Sequence, residues 1–119
     1  MKNIIAVIVL LLSSSAHADW SKADTNRQIA FTAVTVLDWS QTRYISKHPD
    51  VFYEDFNKYL GEHPTTNKVN NYFLSAMLIN YYIAYALPDK YRKYWQYASI
   101  SVETHFVRNN YQLGIGFDF

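Results

Sequence analysis

Six polar side chains are spaced among apolar neighbours in a way that could support chemistry: Asp38, Thr42, Glu54, Asn80, Glu103 and His105. An ionised carboxylate is costly to bury without partners. On an apolar helix face it must therefore find a hydroxyl, an amide or a cation, or keep its proton. Asp38 and Thr42 are four residues apart and share one helical stripe with Phe31, Thr35 and Ile45. That stripe would turn Asp38 towards Asn80 on a second helix and towards Glu103 or His105 on a third. Two readings follow. One is a hydrogen-bonded polar core that fixes the register of packed helices. The other is a site for proton handling, a metal or a small ligand.

Several other chemistries are excluded. With no Cys in 119 residues, the chain has no disulfide, thiol nucleophile or thiolate metal site. Glu103 and His105 are two residues apart, about 200° round a helix, and cannot chelate one ion together. There is no His-Glu-x-x-His pattern and no Gly-x-Ser-x-Gly elbow. Gly114-Ile115-Gly116 lies near the end of the sequence and opens no helix, so it forms no phosphate loop. No catalytic residue, metal ligand or cofactor is assigned. A net charge of +1 without a basic cluster excludes nucleic acid as a partner.

The elements that must hold the six residues read as helices. Residues 21–47 run without Gly or Pro, with Ser21 or Asp24 as caps. Residues 65–87 follow Pro64 and stop at Pro88. Residues 89–108 come directly after it, so the last two long helices are antiparallel neighbours. A shorter helix is expected over 51–60, ended by Gly61. His48-Pro49 and His63-Pro64 mark helix boundaries. The fold class is all-α: three long helices, one short helix and an extended tail over 111–119, where apolar and non-apolar residues alternate. The tail is expected to lay its apolar edge on the helices.

Residues 1–18 read as a secretory signal. Lys2 precedes nine apolar residues, Ile4 to Leu12, and Ala16-His17-Ala18 is a small-x-small cleavage pattern. Residues 19–119 then form a single helical domain. From Val69 to Pro88 there are twenty residues without a charge, while Asn70, Asn71, Ser75 and Asn80 make that stretch a poor hydrocarbon solute. Inner-membrane insertion of a helical hairpin and a periplasmic bundle both fit this pattern, with outer-membrane association a third setting. On the third helix Tyr91, Tyr94, Trp95, Ala98, Val102 and Phe106 form an apolar stripe with His105 at its edge, Ile100 and Val107 lie on the opposite side, and Glu103 sits on the flank between.

The segments Asp38-Trp39-Ser40-Gln41-Thr42-Arg43-Tyr44-Ile45, Lys47-His48-Pro49, Leu60-Gly61-Glu62-His63-Pro64 and Gly114-Ile115-Gly116-Phe117 together resemble a group of small exported proteins of unknown function. These occur in proteobacteria and their phages or prophages. Asp38-x-x-x-Thr42 with Glu54 downstream is more distantly similar to small helical membrane proteins carrying Asp, Thr and a Glu-x-Asn-Pro turn. Here that turn reads Glu54-Asp55-Phe56-Asn57-Lys58, without the proline. The resemblance implies an envelope location and nothing catalytic. The functional expectation is a non-enzymatic, Tyr-rich envelope protein acting through membrane contact, integral or peripheral, or through an envelope protein partner. The alternative is a ligand or enzymatic site built on the six polar residues.

Overall fold

A computed structural model of the chain describes residues 20–54 and 57–119. Among these it contains three α-helices: α1 (Lys22–Lys47), α2 (Thr66–Ala86) and α3 (Asp89–Gln112). The signal-like residues 1–18 lie outside the described residues. Helix α1 packs on both of the others, while α2 and α3 touch each other far less. The result is a trough with α1 as its floor.

Local chemistry sets the boundaries. Ser21 accepts from the backbone of Asp24, and Asp24 accepts from the backbone of Ser21, a reciprocal capping box at the start of α1. The helix ends at His48, whose Nδ1 lies 2.8 Å from the Tyr44 carbonyl and whose ring stacks on Tyr44 at 4.0 Å. Thr65 caps α2 through the Lys68 backbone, and Pro88 separates α2 from α3 in a tight turn. The prolyl punctuation therefore falls where expected.

Two expectations are corrected. No helix forms among the described residues of 51–60; the segment is a looped connection. The Glu54 backbone N–H donates to the Glu62 carbonyl at 2.8 Å, drawing the ends of the loop together. The Asn57 side chain accepts from the Leu60 backbone, so local side-chain bonding replaces a helical ladder. Gly61 does adopt φ +78°, but it closes this turn and no helix. The tail begins later than residue 111, because α3 continues through Gln112 and is ended by Gly114 at φ +83°. Beyond it Ile115 is buried, whereas Phe117 and Phe119 stay exposed and stack on each other. Asp118 supplies the tail's polar contacts with α1. Its backbone N–H donates to Ser40 Oγ at 2.7 Å, and its carboxylate meets Arg43 at 3.1 Å and Lys47 at 2.8 Å. Gly116 passes so close to the Tyr44 ring that a Cβ there would lie 2.9 Å from it.

The interior is unusual in being mostly polar. Among the described residues, seven apolar side chains are buried against ten polar or charged ones. Leu60, Val69 and Phe73, with Trp39 and Tyr72, form the compact apolar cluster under the 51–62 loop. The α1–α3 contact is built from amides and charges. On α3 the buried residues are Arg92 and Gln96, and the apolar stripe is largely turned outward, with Tyr91 52%, Tyr94 64% and Val102 53% exposed. The Arg92–Gln96 face is the buried one because α1 presents Asp24, Gln28 and Asp38 to this interface, and buried polar groups demand polar partners.

No helix among the described residues is long and apolar enough to cross a membrane. In the 20-residue uncharged stretch Val69, Phe73, Asn80 and Ala84 are buried, and Ile79 and Tyr82 are exposed.

Candidate functional site

Two polar networks run along α1. The first, at its N-terminal end, escaped the sequence reading. Arg92, 1% exposed, donates to Asp24 at 2.9 Å, to the Ala84 carbonyl at 2.7 Å and to the Leu87 carbonyl at 3.1 Å. It thereby ties α1 to the α2–α3 turn. Burial works to raise the Asp24 pKa. The Ser21 backbone bond and the Arg92 guanidinium outweigh it and hold the carboxyl below its ordinary value. Gln96 extends the network, donating to the Asp24 carbonyl and to Gln28 at 3.0 and 3.1 Å. Gln28 donates to Asn80, which donates to Ser99 at 2.8 Å. Asn80 is thus a register residue of this network and does not reach Asp38. The i, i+4 spacing of Asp24 with Gln28, and of Arg92 with Gln96, was the available signal.

The second network contains the candidate site. Asp38, 8% exposed, lies with Thr42, Glu54 and Glu103 around a cavity of about 430 Å³. The Thr42 hydroxyl donates to the Asp38 carbonyl at 2.9 Å and sits 3.5 Å from its Oδ1. Asn110 reaches from α3 to Asp38 Oδ1 at 3.5 Å and donates to Gln41 at 3.2 Å. Glu103 Oε2 is buried and receives no hydrogen bond from an ordinary donor. The Asp38 carboxyl faces Glu103 and can serve it only as an acid, so the two groups share a proton. Burial, then the hydrogen bond and charge of Glu103, push Asp38 up to about 9; burial likewise raises Glu103. At neutral pH the pair is a neutral or singly charged hydrogen-bonded unit.

The cavity is also lined by Asn57, Lys58 and Leu60 of the loop and by four aromatic rings. These are Tyr59, Tyr72, Phe73 and Phe106, and burial raises the Tyr72 hydroxyl pKa. Four of the six expected residues therefore meet at one cavity. His105, although beside Phe106, is exposed and belongs to neither network nor cavity. No group of three or more His, Cys, Asp or Glu among the described residues could hold a metal ion.

A larger cavity borders the carboxyl cavity. The trough between α2 and α3 encloses about 660 Å³, and its walls include Ile79 and Ile83 on α2, Trp95, Ala98 and Val102 on α3, and Phe31 at its floor. Tyr59, Tyr72 and Glu103 border both spaces, so Glu103 stands where the apolar trough meets the acidic end. Trp95, Ala98 and Val102 of the α3 stripe wall this trough, Phe106 lines the carboxyl cavity, and Tyr91 and Tyr94 line neither. No protein-family model, curated protein or solved structure matches the chain.

Proposed function

We propose that the protein is a non-enzymatic helical binding protein of the cell envelope, and that it works by receiving an apolar chain in the trough between α2 and α3. The observation that carries this reading is the trough itself. It is a preformed concavity within the size range of small-molecule sites, lined mostly by apolar side chains, with Glu103 where it borders the carboxyl cavity. Contact with an envelope lipid or another amphiphile suits that shape. Export is part of the proposal and rests on the signal-like pattern of residues 1–18. The resemblance to small exported proteins of proteobacteria and their phages agrees with it.

Trp95 borders the trough and its Nε1 donates to the Asn80 carbonyl at 3.2 Å, so its fluorescence should report occupancy. Titration with dodecanol is expected to change that fluorescence saturably in the folded protein. Ala98→Trp, at an exposed wall position, should fill the trough and weaken binding at least tenfold without lowering the melting temperature. Absence of saturable binding by the wild-type protein would remove the proposal.

A further inference from the structure

An apolar trough that ends in carboxyl groups favours one kind of ligand head. Asp38, Glu54 and Glu103 bring carboxyl groups to the end cavity, while Tyr72, Phe73 and Phe106 supply aromatic walls. Aromatic rings attract an ammonium through their quadrupole, and carboxylates attract it by charge and hydrogen bonding. We propose that the Asp38–Glu103 cavity binds the primary ammonium head of an amphiphile whose apolar body lies in the α2–α3 trough. This inference rests on the trough reading above and adds the identity of the head group.

Buried Glu103 Oε2, which lacks a conventional donor, would accept one N–H of the ammonium, and Asp38 a second. The proton shared by the two carboxyls leaves when the cation arrives, because a positive neighbour favours the ionised acid. Binding is then linked to proton release, and ammonium affinity rises with pH. The groups facing the pair are Thr42 on α1, Tyr72 on α2, Asn110 on α3, and Glu54, Lys58 and Tyr59 on the loop. Lys58 is exposed at the cavity's rim and would disfavour a second cation, so one head group per cavity is expected.

The test is calorimetric titration of the folded full chain with dodecylammonium and with dodecanol, which share a tail. At pH 8 dodecylammonium should bind at least tenfold more tightly. The advantage should shrink at least fivefold at pH 6, and the measured heat should depend on the buffer's ionisation enthalpy, as proton release requires. Glu103→Gln should abolish the preference and keep dodecanol binding. Should this variant not fold, the head-group comparison and its pH dependence in the wild-type protein decide the matter. Equal affinity for the two compounds would overturn the ammonium inference and leave the trough reading standing. Failure of both to bind would overturn both.

Discussion

Asp38 keeps its proton because the fold buries it beside a second acid, with Lys58 exposed at the rim of the cavity. Its folded pKa is raised, so between the unfolded value near 4 and about 9 the folded state binds more protons than the unfolded state. The sign is therefore fixed: this group's contribution is fully favourable below its unfolded pKa and is lost as pH climbs towards 9. Asp38→Asn should flatten the fall in stability between pH 5 and pH 9 and stabilise the protein by about 1–3 kcal/mol at the alkaline end. Denaturant titrations at the two pH values measure it; an unchanged pH slope would contradict the shared proton. Asp24 has the opposite sign. Its folded pKa is lowered, so its stabilisation is present above the unfolded value and disappears as pH falls through the folded one. Arg92→Met removes one of the two guanidinium partners of the buried Asp24 carboxylate, leaving Arg27, and should cost about 1–3 kcal/mol, while adding Asp24→Asn should restore part of the loss. Asp38 was legible in the sequence because a carboxylate on an apolar stripe is conspicuous. Arg92 was not, since an arginine near a helix start reads as solvated until its partner 68 residues away is known.

At the scale of elements, the long helices and their prolyl boundaries were legible because caps and breakers act over a few residues. The α1 stripe of Phe31, Thr35, Asp38, Thr42 and Ile45 is buried as its spacing implied. Helix α3 shows where periodicity stops being informative. A stripe of apolar residues specifies a face that avoids water, but either a core or a binding trough can satisfy it. The buried Arg92–Gln96 face was chosen by the amides and carboxylates of α1. The 51–60 stretch illustrates a different failure: a backbone bond from Glu54 to Glu62 joins positions outside any helical register. The tail gives a direct test of packing. Removing residues 115–119 deletes buried Ile115 and the Asp118 contacts with Ser40, Arg43 and Lys47. Stability should fall by about 2–3 kcal/mol, with burial of Ile115 the larger share. A melting curve that does not move would mean that the tail adds nothing to the bundle.

The whole molecule, with two helices splayed over a third, has a trough where a soluble bundle would close its core. Envelope placement makes its own prediction at this scale. Fractionation of cells expressing the full chain should recover a form beginning at Asp19 outside the cytoplasm, by N-terminal mass spectrometry. Intact Met1 on a cytoplasmic product would remove the export proposal. If the trough and its carboxyl end form one continuous ligand site, titration with dodecylammonium will shift backbone and side-chain resonances saturably from Ile79, Ala98 and Val102 to Asp38 and Glu103. The Trp20 and tail resonances will stay unmoved. Shifts spread over the exposed tyrosines, with Asp38 and Glu103 silent, would contradict a continuous site.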